Sequence, residues 1–122
     1  MKERKNESSF RNQAAQDLLL ERIREYARAH VEQKITLKDV ARHCGVSVST
    51  ITQFFRKTTG DTFHSYLTQL RMEKALQLIR EGVALEEAGR LVGYADHSSF
   101  YRAFCQTFGQ SPRAYKRSLL QK

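Results

Sequence analysis

Apolar residues return along this chain at the spacing of helix faces, and nowhere at the alternation of a half-buried strand. Between Ala15 and His30, the residues Leu19, Ile23, Tyr26 and Ala27 fall at i, i+4, i+7 and i+8, which is one stripe of a helix. Thr36, with Asp39 three residues on, then predicts an N-cap and a short helix running to His43 before Gly45. Ser47 caps a helix that reaches Thr59 ahead of Gly60, and a long pattern from Thr62 to Arg80 meets no breaker until Gly82. A short helix over Leu85–Val92 precedes Gly93, and another, capped by Asp96, ends at Gly109. Ser111-Pro112 opens a last helix to about Leu120, with Ser at the N-cap and Pro at the first helical position. The pattern therefore predicts an all-α fold of seven helices. Residues 1–13 are polar, charged and aperiodic, and read as a disordered arm or linker.

The chain also repeats itself. Val40-Ala41, Cys44-Gly45-Val46, Ile51 and Phe54-Phe55 recur as Ala88-Gly89, Val92-Gly93-Tyr94, Phe100 and Ala103-Phe104. The offset grows by one residue after the glycine, so the second copy has one extra turn residue. Each copy has the makings of a helix-turn-helix: a small residue (Ala41, Gly89) where two helices cross, and a glycine four positions on for the left-handed turn. The expected organisation is a first helix-turn-helix unit over 14–60, a connecting helix over 61–81 and a second unit over 82–122.

At about 100° per residue, Ile51, Phe54, Phe55 and Thr58 share the inner face of the first copy's second helix. Ser49, Thr52, Gln53 and Arg56 form the opposite stripe. In the second copy Phe100, Ala103, Phe104 and Thr107 face inward, and Ser98, Tyr101, Arg102 and Cys105 outward. Any solvated helix has a polar stripe. These two, however, hold groups that pair with base edges, and neither helix contains Asp or Glu although the chain has thirteen acids. The connecting segment changes its apolar face midway, from Phe63, Tyr66, Leu67 and Leu70 to Met72, Ala75, Leu76, Leu78 and Ile79. Such a helix packs against a different unit at each end. Nineteen residues at ~1.5 Å rise span about 28 Å, near the ~34 Å between successive major-groove segments on one face of a duplex.

Composition narrows the partners. Twenty-one Lys and Arg against thirteen Asp and Glu leave a formal charge of +8, which suits a polyanion. No apolar run exceeds three residues and no apolar segment follows the charged N-terminus, which predicts neither a membrane span nor a secretory signal. Cys44 and Cys105 lie in helical patterns without metal spacing and read as reduced thiols in a cytoplasmic protein. His30, His43, His64 and His97 share no ligand spacing. No catalytic constellation, cofactor motif, metal set or small-molecule site is evident, so no enzyme is expected. Met1 points to a complete chain and the linker-like first thirteen residues to part of a longer one; the balance falls on the complete chain.

From about Leu18 to Arg117 the sequence resembles the AraC family of bacterial transcription regulators. GYADHSSFYRAFCQTFGQSPRAYKRSL is similar to the family signature through Gly93, Tyr94, Phe100, Arg102, Phe104, Phe108, Gly109, Pro112 and Tyr115. Arg71, Ala75 and the segment FFRKTTG are also similar to family patterns. The resemblance implies two helix-turn-helix units with recognition helices in adjacent major grooves of promoter DNA, and an activator that touches RNA polymerase. It implies base contacts from Ser49, Thr52 and Gln53 and from His97, Ser98, Tyr101 and Arg102. Arg56 and Lys57, with Lys116 and Arg117 on the last helix, are the expected phosphate contacts. Two positions depart from the pattern: Ala84 is a poor N-cap, and Gly89 replaces the usual alanine at up to ~1 kcal/mol of helix propensity. A looser second unit is expected. The rival reading is a helical module for an acidic protein partner. RNA is disfavoured because the A-form major groove is too narrow for a helix.

Overall fold

The computed structural model describes the backbone of residues 2–121 and the side chains of residues 12–121. Its elements are α1 (Lys2–Ala29), α2 (Leu37–Cys44), α3 (Val48–Thr59), α4 (Phe63–Arg80), α5 (Leu85–Leu91), α6 (His97–Phe108) and α7 (Pro112–Leu120), with no strand among the described residues. Side-chain caps start most of them. Thr36 Oγ1 accepts the Asp39 N–H at 3.2 Å while the Asp39 carboxylate accepts the Thr36 N–H at 3.0 Å, a complete capping box. Ser47, Thr62, Asp96 and Ser111 each accept the N–H three residues on. Ala84 offers α5 no such bond.

Helix α1 begins earlier than its apolar stripe and takes in the stretch read as an arm. That stretch contains no Gly or Pro, and its Glu, Lys, Arg and Gln are good helix formers. Every side chain from 12 to 18 is exposed, so helix propensity rather than packing supports α1 there. The side chains of residues 1–11 lie outside those described.

Two separate cores form, one on each half of α4. Ile23 and Ala27 of α1, Val40, Ala41 and Cys44 of α2, and Ile51 and Phe55 of α3 close over Phe63 and Leu67. Ala88, Val92, Phe100 and Phe104 close over Met72, Ala75 and Ile79. The changeover falls between Leu70, packed on the first core, and Met72, within the second. One inward assignment needs correction. Thr58 is exposed, and Thr59 turns toward the chain instead, its hydroxyl donating to Phe55 O at 2.7 Å and accepting the Asp61 N–H at 3.1 Å.

Gly89 is a spatial requirement rather than a defect. A Cβ built there would lie 2.9 Å from Cγ and Cδ2 of the Phe100 ring, closer than the packing allows. In the first unit the corresponding pair is Ala41 with Ile51, so the larger residue on one helix matches the smaller on the other. Gly89→Ala gains up to ~1 kcal/mol of helix propensity but overpacks the crossing at a cost of about 1–3 kcal/mol. We expect a net loss in urea unfolding, partly recovered when Phe100→Ile is added. A Gly89→Ala chain as stable as the parent would mean that the crossing has slack.

Candidate nucleic-acid interface

Both turns are built by the same backbone bonds. In the first, Gly45 sits at φ 72°, its N–H donates to Arg42 O at 3.3 Å, and the Val46 N–H donates to Ala41 O at 3.1 Å. In the second, Gly93 sits at φ 98°, its N–H donates to Arg90 O at 3.0 Å, and the Tyr94 N–H donates to Gly89 O at 3.0 Å. A Cβ is disfavoured at either glycine. The second copy then spends its additional residue on Ala95 before the Asp96 cap, which holds the Ser99 N–H at 2.7 Å. That bond and the Ser99 hydroxyl keep the Asp96 carboxyl below its ordinary range. Gly60 and Gly109 end α3 and α6 alike, each donating to a carbonyl four residues back at 2.8 Å.

Helices α3 and α6 are thus set in register, and their outward positions correspond: Ser49 with Ser98, Thr52 with Tyr101, Gln53 with Arg102, Arg56 with Cys105. Ser49, Thr52, Gln53, Arg56 and Lys57 are all exposed on α3. Thr52 already donates its hydroxyl proton to Val48 O at 3.0 Å, which leaves its oxygen lone pairs and methyl group for an outside partner. On α6, His97, Ser98, Tyr101 and Arg102 are exposed and Cys105 is half-buried. The rings of His97 and Tyr101 lie 6.2 Å apart. Beneath the stripes, Phe55 anchors α3 and Phe100 and Phe104 anchor α6, all essentially without exposure.

The hollow along α6 brings His97, Ser98, Tyr101, Arg102 and Cys105 together and adds Gln106. Sequence reasoning passed over Gln106, although it stands one turn beyond Arg102 and occupies the place of Lys57 in the first copy. A second shallow hollow joins Arg102 and Gln106 to His64 and Thr68 of α4. The histidine pattern of the sequence points to no such role for His64, and no set of three potential metal ligands forms among the described residues. Toward the N-terminal end of α6, Arg113 of α7 shares a hollow with His97 and Tyr101. Lys116 is half-buried and Arg117 exposed, and neither lines that hollow. The folded α6–α7 corner thus brings Arg113 beside His97 and Tyr101, in a hollow that Glu86 also lines. Cys44 lies in the first core, where burial raises its thiol pKa. Among the described residues no helix is long and apolar enough to cross a membrane.

A family profile described as a helix-turn-helix domain matches residues 40–118. The RCS-specific HTH-type transcriptional activator RclR of Escherichia coli K12 is 34% identical over 87 residues, covering 70% of this chain and 31% of that protein. The chain spans about a third of the length of the curated relatives it matches. Among solved structures, the C-terminal domain of AraT, a response regulator from Geobacillus stearothermophilus, superposes with a TM-score of 0.78 at 32% identity, over 82% of this chain and 84% of that one. A DNA-binding transcriptional dual regulator from Escherichia coli K-12 does so with a TM-score of 0.77 at 25% identity, over 83% and 91%.

Proposed function

The chain belongs to the AraC family of helix-turn-helix transcription regulators, and on that premise we propose that it is a sequence-specific double-stranded DNA-binding regulator, an activator, that sets α3 and α6 into adjacent major-groove segments of a promoter. The observation that carries this reading is the pair of exposed, carboxylate-free stripes held in the same register by two matching turns, on a chain of charge +8. A helix facing phosphates must avoid carboxylates, and the donors on these two fit base edges. Ser49, Thr52 and Gln53 read in the first unit, and His97, Ser98, Tyr101 and Arg102 in the second. Arg56, Lys57, Lys116 and Arg117 take phosphates, and Arg113, exposed beside His97 and Tyr101, joins them.

The unit boundaries 14–60, 61–81 and 82–122 are part of this reading, and the two separate cores on α4 support it. RNA polymerase beside the promoter is the proposed protein partner and the nucleoid the proposed location, supported by a relative described as a transcriptional activator. The rival, a module for an acidic protein, predicts weak generic duplex affinity, whereas this reading predicts a sequence preference that persists as salt rises.

Arg102 provides the residue-level test. Its guanidinium offers two parallel donors that match guanine O6 and N7, so Arg102→Ala costs about 1–3 kcal/mol and relaxes preference at one base pair. Lys116→Ala and Arg117→Ala, as phosphate contacts, weaken binding uniformly and each reduces the salt slope by about one. Titrations against the preferred duplex and all its single-base variants separate the two patterns. Equal losses for Arg102→Ala on every duplex would remove it from the base readers.

A further inference from the structure

Arg71 stands at the changeover of α4, between the last residue packed on the first core and the first residue of the second. Its guanidinium reaches back across the chain to the loop joining α1 and α2. There Nη2 donates to Gln33 O at 2.9 Å and Nε to Val31 O at 3.3 Å. The same guanidinium lies against the turn of the second unit. Its carbon is 5.7 Å from the centre of the Tyr94 ring. A Cβ built on Gly93 would come within 3.2–3.3 Å of its Nη2, Cζ and Nε atoms. One side chain therefore bridges a backbone loop of the first unit and the helix-turn-helix turn of the second.

Little else does so. The principal helix pairings run within α1–α3, within α5–α7, or through α4. Among the described residues no hydrogen bond or ion pair links α1–α3, or the loops between them, directly to α5–α7. Lys74 pairs with Glu32 of the same α1–α2 loop at 2.6 Å, but both side chains are well exposed and such a pair contributes little. A single helix fixes the separation of two bodies better than their roll about its axis. An off-axis brace opposes that roll, and a planar fork seated on two carbonyls and an aromatic face holds direction where an ammonium does not.

We propose that Arg71 is a positioning residue that locks the orientation of the two units and so sets the spacing of the two base-pair elements the chain reads. The inference rests on the two-reader function proposed above. Without the brace each unit still folds and still prefers its own bases, but the pair is less pre-organised. The prediction is a loss of discrimination between spacings rather than of base preference.

The test uses the whole chain, its selected duplex, and duplexes with one base pair added or removed between the two elements. The parent should lose about thirtyfold or more on either altered spacing, whereas Arg71→Met should bind the native spacing about tenfold more weakly and discriminate less than about fivefold. Base preferences within each element should stay as in the parent. Arg71→Lys should behave like Arg71→Met, because lysine keeps the charge but cannot fork across two carbonyls. Residual dipolar couplings of the free chain give a readout without DNA: one alignment tensor should fit both units in the parent, and two should be needed in Arg71→Met. Equal weakening on all spacings, recovery by lysine, or a single shared tensor in Arg71→Met would each overturn the brace. A parent indifferent to spacing would sink the two-reader function itself, and the spacing role of Arg71 with it.

Discussion

Truncating Phe104 to alanine should unfold the second unit and leave the first standing. Phe104 is fully buried, and its ring meets Phe108 at 4.7 Å, Phe100 at 5.9 Å and Tyr115 at 6.0 Å between centroids. It therefore ties α6 to α7 as well as filling the core over Met72, Ala75 and Ile79. Removing a buried phenyl group costs about 3–5 kcal/mol through lost transfer energy and the cavity left behind. A unit of some forty residues (82–122) at roughly 0.1 kcal/mol per residue has about 4 kcal/mol of net stability. The loss and the total are thus of the same size. Because the first core draws on different residues of α4, hydrogen exchange of Phe104→Ala should show protection lost over α5–α7 and kept over α2 and α3. Near-parental thermal stability would contradict the packing of α6 on its own unit. Loss of protection in both units at once would mean that the two cores fold as one.

The features legible in the sequence are those whose chemistry is local. Caps at Thr36, Ser47, Asp96 and Ser111 and turns at Gly45 and Gly93 depend on residues within a few positions of each other, so helix ends could be placed closely. The apolar changeover in α4 was readable for the same reason, since each half has its own stripe. Where two readings differ by one place, locality fails. A twelve-residue wheel cannot choose between Thr58 and Thr59, and the choice is made by the hydroxyl bonds of Thr59 to Phe55 and Asp61 at the helix end.

The small-residue crossing read at Gly89 is what its close approach to the Phe100 ring bears out, whereas the propensity cost assigned there is a property of one residue and leaves out a ring supplied by another helix. The repeat contained the clue, since Ala41 with Ile51 becomes Gly89 with Phe100. Arg71 is similar to a family pattern, but its contacts left no comparable trace. Its acceptors are main-chain carbonyls about forty residues away, and a carbonyl is the same on every residue. His64 and Arg113 were missed in the same manner, because only the folded chain brings them beside α6, whereas Gln106 lies on α6 itself and its place opposite Lys57 of the first copy was open to reading. The outward stripes of α3 and α6 were legible as exposed surface.

Inserting five base pairs between the two elements of the preferred site should abolish high-affinity binding. Helix α4 has eighteen residues, about 27 Å at ~1.5 Å each, and joins the two units without a flexible linker. Two reading helices carried on the two halves of such a connector suit elements centred about one helical turn, ~10 bp or ~34 Å, from each other on one face of the duplex. Five added pairs turn one element roughly half a revolution to the far side, where no roll about α4 can bring α6. Binding then falls to what one unit achieves alone, and losing the second contact of a linked pair costs on the order of 10²–10⁴ in affinity. Ten added pairs restore the phase but double the separation, beyond the span of α4, so that duplex should also bind weakly. A flexible tether would instead recover on ten pairs, which makes the pair of insertions a measure of rigidity as well as of reach. Undiminished affinity for the five-pair duplex would leave one reading unit where two are proposed, and the first, with its short Ser49 and Thr52 side chains, would be the one set aside.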